Sequence, residues 1–223
     1  VNQTSAAATT RDRRVPTAVF VSGAGTNLQH VIDLAAAGAL PLDVRLVVSN
    51  AREAFAVERA SQASIPVLIA PFDRHAESRA EYGARLAADV RGRGIELVLL
   101  LGWMHVLDAS FVNAGFAGIL NLHPAFLPDD PQADDVMLPD GSVSPVFRGA
   151  HALRDALSYG APSTGASLIQ ITAEVDRGPV LARRVCALLA GDDEKKALER
   201  LHDVEREVIA EGVSTWLTAA AYL

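Results

Sequence analysis

One cysteine, Cys186, is all that the 223-residue chain contains, so no internal disulfide framework holds it and a reducing compartment is the default. Long apolar runs are also missing. The longest, residues 97–101, lies between Glu96 and Gly102, far short of the about 20 residues that cross a bilayer. Positive charge is in deficit, with 20 Lys and Arg against 27 Asp and Glu and a formal charge of −7. That balance excludes nucleic-acid binding through bulk basic character. No Cys and His residues fall at metal-ligand spacing, so no metal is expected. Residues 1–16 lack the apolar core of a signal peptide and read as a disordered tail. Neither a repeat nor a domain boundary interrupts residues 17–223, which read as a single domain. These absences describe a soluble, cytoplasmic protein with small-molecule substrates and neither nucleic-acid nor membrane partners. A homodimer is compatible with this reading.

What is present is an alternation of Val/Ile/Leu-rich runs with helical patterns, the signature of a doubly wound, mostly parallel α/β sheet with helices on both faces. Strands are expected over residues 18–22, 44–48, 66–69, 97–101, 119–122, 166–171 and 180–188. Helices are expected over 27–37, 52–64, 78–91, 149–158 and 194–220. The run 97–101 is apolar at every position, as a central strand covered on both faces should be. Residues 129–146 break the pattern with Asp129, Asp130, Asp134, Asp135 and Asp140 and a Pro139-Asp140-Gly141 turn. They read as a surface excursion, with a hairpin as one form of it.

Three motifs carry candidate chemistry. Gly23-Ala24-Gly25-Thr26-Asn27 joins the first strand to the first helix, where backbone N–H groups at a helix start suit a phosphate. A dinucleotide fingerprint fails, because Leu28 stands at the third glycine and Asn50 where a ribose-binding acid is expected. Asn121-Leu122-His123-Pro124 ends a central strand, and alternation turns Asn121 and His123 to one side. An amide and an imidazole aimed together can stabilise an oxyanion and move a proton near neutral pH. Asp176-Arg177-Gly178-Pro179 occupies a polar turn, where a carboxylate beside His123 could take part in that transfer. Each motif alone also has an ordinary meaning: a tight glycine turn, a backbone-bonded His, a common Asp-x-Gly-Pro turn.

Taken together these residues resemble a known family. Ser22-Gly23-Ala24-Gly25-Thr26-Asn27-Leu28-Gln29 with Ser49-Asn50 is similar to the start of the phosphoribosylglycinamide formyltransferases. So are Leu100-Leu101-Gly102-Trp103-Met104-His105-Val106-Leu107, Asn121 through Pro128, and Thr164-Gly165 with Asp176-Arg177-Gly178-Pro179. The resemblance implies the formyltransferase fold and transfer of a formyl group from 10-formyltetrahydrofolate to the amine of glycinamide ribonucleotide. It implies Asn121, His123 and Asp176 as catalytic residues, Gly25, Thr26 and Asn27 at the substrate phosphate, and Glu205 at the glycinamide end. His151 is expected against substrate from its Phe147-Arg148-Gly149-Ala150 context. For the folate it implies Met104, His105, Val106 and Leu107, the turn of Thr172, Ala173, Glu174 and Val175, and Arg79 for the ligand's negative charge.

The sequence departs from the family pattern in four places: Ala24 replaces the usual Asn, His105 an Arg and Ile169 a His, and residues 129–146 are inserted. The acceptor therefore stays open between glycinamide ribonucleotide and another small amine such as an amino sugar nucleotide. Formyltetrahydrofolate hydrolysis and a non-catalytic binding relative are the other readings. Trp103 and Phe147 are expected as cleft wall or core, and His30, His75 and His202 as solvated.

Overall fold

The computed structural model describes residues 13–172, 174 and 176–222. In chain order its elements are β1 (Val15–Val21), α1 (Thr26–Ala36), β2 (Leu42–Ser49), α2 (Phe55–Gln62), β3 (Val67–Ile69), α3 (Arg79–Arg91), β4 (Leu97–Leu100) and α4 (Ala109–Val112). They continue with β5 (Gly118–His123), β6 (Asp135–Met137), β7 (Val143–Pro145), α5 (Ala152–Tyr159), β8 (Ser163–Gln170), β9 (Val180–Ala187) and α6 (Glu194–Ala219). Seven strands form one sheet in the order β3-β2-β1-β4-β5-β8-β9. The pairings from β3 to β5 are parallel, while β8 runs antiparallel to both β5 and β9.

Each strand of the parallel part is covered twice. Val15, Val19 and Val21 of β1 join Leu28 and Val31 of α1 and Leu201, Val208 and Trp216 of α6 in one core. The alternate residues Ala18 and Phe20 join Tyr82 and Leu86 of α3 and Phe111 of α4 in the other. All four residues of β4 are buried, as an apolar run flanked by helices on both faces requires. Helix α3 starts at a full capping box between Ser78 and Glu81, and the Asp193 side chain accepts from the Lys196 N–H at the start of α6, so both ends have their donors satisfied locally.

Several expected boundaries move. Val15 and Pro16 are not tail: they belong to β1, where the Val15 N–H donates to the Pro41 carbonyl and the Pro16 carbonyl accepts from Glu96. The rest of the expected tail, residues 1–12, lies outside the described residues. Helix α4, four residues capped by Asp108, is too short to leave a periodic signal. The inserted segment folds as the β6–β7 hairpin, paired only with itself.

The sheet order reverses at β1: the chain leaves it for β2 on one side and β4 lies on the other. Ligands in open α/β sheets bind beyond the carboxyl ends of strands at such a switch point. The loops after β1, β4 and β5 all open there.

Candidate active site

A cleft of about 790 Å³ lies over these strand ends, large enough for drug-sized ligands. At its amino-terminal end Gly25 precedes α1 with φ +69°. A Cβ on Gly25 would sit 2.6 Å from the Ala56 Cβ, so both the turn and the close approach of α2 demand glycine. No side chain caps α1 and no acidic residue stands in its first turn, which leaves the backbone donors beside Thr26 free to meet an anion.

Asn27 Nδ2 donates to Glu205 Oε2 at 2.7 Å across the cleft floor. Glu205 is 6% exposed, and burial pushes its carboxyl up to about 7 against the opposing pull of Asn27 and Arg206. The other amide atom, Asn27 Oδ1, has no partner. His202 lies one turn earlier on α6, with Nε2 4.0 Å from Glu205 Oε2. Burial and the nearby Arg206 charge lower its proton affinity.

Also in the cleft wall, the last residues of β5, Asn121, Leu122 and His123, pair to β8, and strand alternation sets Asn121 and His123 on one side. The structure brings Asp176 to both. Asn121 Nδ2 donates to Asp176 Oδ1 at 3.3 Å, and His123 Nδ1 stands 3.4 Å from Asp176 Oδ2. The Gly149 N–H donates to the same Oδ2 at 2.9 Å. His123 Nε2 donates to the Phe147 carbonyl at 2.8 Å. An acceptor therefore faces each ring nitrogen. Asp176 adopts φ +51°, and the turn behind it is pressed so closely onto β8 that a Cβ on Gly178 would fall 1.6 Å from the Gln170 carbonyl oxygen. The glycine of the Asp-x-Gly motif is therefore required by backbone contact.

The remaining expected residues divide. Met104, His105, Val106 and Leu107 line the cleft lip, held by the Met104 N–H donating to Ser22 Oγ at 3.0 Å. Met104 and Val106 are each 54% exposed. His105 packs on Trp103 with ring centroids 5.6 Å apart, and burial, reinforced by the Arg79 charge, depresses its basicity. Thr172, Glu174 and His151 line the cleft, whereas Ala173 and Val175 lie outside the described residues. Arg79 departs from expectation. It is absent from the cleft wall, its guanidinium lying over the Phe72 ring at 5.2 Å and donating to the Val106 carbonyl at 3.4 Å. It shapes the lip from behind.

His202 also corrects the sequence reading: it lines the cleft and is not a solvated surface residue. Glu194, Leu198 and His202 form one stripe with Glu205, spaced four, four and three residues along α6. That spacing was the available signal. Arg154 joins them, paired with Glu194 at 3.1 Å. Trp103 is 9% exposed and stands in the cleft wall. Among the described residues, no group of three or more His, Cys, Asp or Glu could hold a metal ion, and no helix is long and apolar enough to cross a membrane.

Comparison with known proteins adds an independent finding. The family model for formyl transferases matches residues 15–131 and 139–213, and its gap falls within the inserted segment. The phosphoribosylglycinamide formyltransferase of Mycobacterium tuberculosis (strain H37Rv) is 33% identical over 200 residues, covering 90% of this chain and 84% of that protein. The trifunctional purine biosynthetic protein adenosine-3 of Drosophila melanogaster is 32% identical over 86% of this chain, which spans only 13% of that protein's length. Among solved structures, glycinamide ribonucleotide transformylase 1 from Symbiobacterium toebii matches with a TM-score of 0.77 at 30% identity, covering 90% of this chain and 86% of that one.

Proposed function

The chain belongs to the formyl transferase family, among the phosphoribosylglycinamide formyltransferases, and from that premise we propose that it transfers a formyl group from 10-formyltetrahydrofolate to the primary amine of glycinamide ribonucleotide. The observation that carries this reading is the meeting of Asn121, His123 and Asp176, from β5 and a turn 53 residues beyond His123, around one end of the cleft. An amide N–H, an imidazole N–H and a carboxylate are the donors and acceptor that acyl transfer to an amine needs.

In this reading the acceptor nitrogen attacks the formyl carbon, and the carbonyl π pair moves to oxygen. Asn121 Nδ2–H and His123 Nε2–H bind that oxyanion, the latter exchanging the Phe147 carbonyl for it. Asp176 holds His123 through Nδ1 and, through a water, takes a proton from the attacking nitrogen and returns it to the departing folate nitrogen. Collapse of the oxyanion breaks the folate C–N bond and leaves the formamide. Donors of this kind are each worth about 10²–10³ in rate.

The acceptor phosphate fits the N–H groups of Gly25, Thr26 and Asn27. Glu205 with the unpaired Asn27 Oδ1 suits the donors of the glycinamide portion, and His151 flanks it. The folate fits the half-exposed lip of Met104, His105, Val106 and Leu107 and the turn carrying Thr172 and Glu174, whose backbone groups can read a pterin. A buried, unpaired Cys186 accords with work in a reducing cytoplasm.

The test is incubation of purified protein with 10-formyltetrahydrofolate and single amines. Release of tetrahydrofolate only with glycinamide ribonucleotide is expected. Release with an amino sugar nucleotide alone reassigns the acceptor, release without amine makes the protein a hydrolase, and no release in any mixture removes catalysis.

A further inference from the structure

The inserted segment ends where the candidate catalytic pair is held. Phe147, the first residue after the insertion, offers the carbonyl that accepts from His123 Nε2 at 2.8 Å. Two residues on, the Gly149 N–H donates to Asp176 Oδ2 at 2.9 Å. Between them the Arg148 side chain turns the opposite way, into the stem of the hairpin. Its Nη2 donates to the Ala133 carbonyl at 2.8 Å and the Pro131 carbonyl at 3.3 Å, and its Nη1 lies 3.7 Å from Asp134.

The other half of the pair reaches the same stem. Arg177, adjacent to Asp176, donates to the same Pro131 carbonyl at 2.5 Å and to Gln132 Oε1 at 3.3 Å, with its Nη2 3.9 Å from Asp134. Gln132 in turn donates to Glu174 at 3.1 Å. Two chain segments that touch His123 and Asp176 are thus fastened to residues 131–134, all of which lie within the insertion.

This fastening runs against simple electrostatics. The Arg148 side chain is 16% exposed, and its Nε is buried without an acceptor. Burial and the neighbouring Arg177 cation both disfavour its charge, and Asp134 is 88% exposed, so it offsets little. The stem carbonyls compensate, together with the Asp134 and Asp176 charges. A loop that merely hung from the surface would need no buried guanidinium to meet it.

We propose that the inserted hairpin is a brace, in which Arg148 and Arg177 use residues 131–134 to hold the Gly149 N–H against Asp176 Oδ2, the carboxylate that faces His123 Nδ1. Both arginines are positioning residues, since neither lines the cleft. The catalytic consequence rests on the function proposed above; the mechanical one does not.

The test separates the two. Arg148→Met and Arg177→Met are each expected to lower kcat about tenfold, since small misplacements of reacting groups cost rate steeply, with KM for both substrates within about twofold. Arg177→Lys, which keeps a cationic donor for the Pro131 carbonyl, restores most of the rate. The Gly149 amide exchanges faster with solvent in both Met variants, a readout that needs no turnover. Because the arginines share one carbonyl, the double variant loses less than the product of the two single losses. Should Arg148→Met fail to fold, Arg177→Met, at a more exposed side chain, carries the test. If the wild-type protein transfers no formyl group, the proposed function fails and the Gly149 exchange still decides the brace. Unchanged kcat and unchanged Gly149 exchange in folded Arg177→Met overturn the brace. A raised KM with kcat intact overturns it too, by making the arginines part of a binding subsite.

Discussion

Two carboxyl groups line one cleft, both buried and differently served. Glu205 is 6% exposed and Asp176 9%. Glu205 has one close donor, the Asn27 amide; the guanidinium of its neighbour Arg206 bonds instead to Asp203 at 2.9 Å. Asp176 has a backbone N–H and an amide bonded to it and an imidazole nitrogen 3.4 Å away. Burial penalises a charge wherever it occurs, so the number of donors distinguishes the two sites. Burial leaves Glu205 holding a proton near neutral pH, whereas a backbone N–H, an amide and an imidazole converge on Asp176.

The largest effect should come from removing the acceptor. Asp176→Asn keeps the shape and one acceptor oxygen for Gly149, but puts an amide where the proposed mechanism takes a proton. Turnover is expected to fall by about 10²-fold or more, with the affinity for a non-reactive folate analogue near normal. Single-turnover kinetics and analogue titration check this, and a full rate in that variant would remove the carboxylate from the chemistry.

Next is the reverse experiment at the other carboxyl group. Glu205 is raised from 4.5 to about 7 in the folded protein. Between those values the native state keeps a proton that the unfolded chain has released, so this group makes stability fall as pH rises through that window. Above pH 7 the penalty is fully present, on the order of 3 kcal/mol at 1.36 kcal/mol per pKa unit. Glu205→Gln removes it, and the new amide can also donate to the unpaired Asn27 Oδ1. The urea midpoint should rise clearly at pH 8 and little at pH 5. An equal rise at both would show that Glu205 is not the group that titrates.

The same contrast explains what the sequence could disclose. Strand positions and the shared facing of Asn121 and His123 follow from short-range alternation, which is local. The glycine loop is likewise local, since Gly25 needs its left-handed φ in any setting. Asp176 is different: its own turn is commonplace, so the motif is weak alone and gains weight only beside the other two and the resemblance, because its partners lie on β5 and in residues 147–149. The antiparallel course of β8 depends on pairing across the sheet and leaves no mark in the run itself. His202 was misread because a polar helix face looks the same in sequence whether it meets solvent or a cleft. Arg148 and Arg177 gave no warning at all: their acceptors are backbone carbonyls, which every residue possesses. Arg79 shows the opposite error, a basic residue near the right loop whose guanidinium stacks on Phe72 instead of entering the cleft.

A smaller effect sharpens the proton-holding site. Asn27 donates the one bond that lowers the Glu205 value, so Asn27→Ala should move the titration midpoint above about 7 and raise acceptor KM several-fold, with kcat little changed. NMR titration of the Glu205 side-chain carboxyl reports the midpoint directly. A midpoint that fell would mean that burial is relieved by water entering the space left behind, and that packing, not the amide bond, governs the site.

The smallest effect tests whether His202 and Glu205 are an ion pair. Their 4.0 Å separation invites that description, but burial works against it at both groups. It raises Glu205 and lowers His202, in each case favouring the neutral form. Neither shift has the other group among its causes, so the contact is expected to contribute little Coulomb energy. His202→Gln should leave the Glu205 midpoint within about half a unit, which is less than about 1 kcal/mol, and change acceptor KM by no more than about twofold. A rise of the midpoint by about a unit or more in that variant would establish a working ion pair. Both carboxyl groups would then have a cationic or imidazole partner at work, and the contrast between them would disappear.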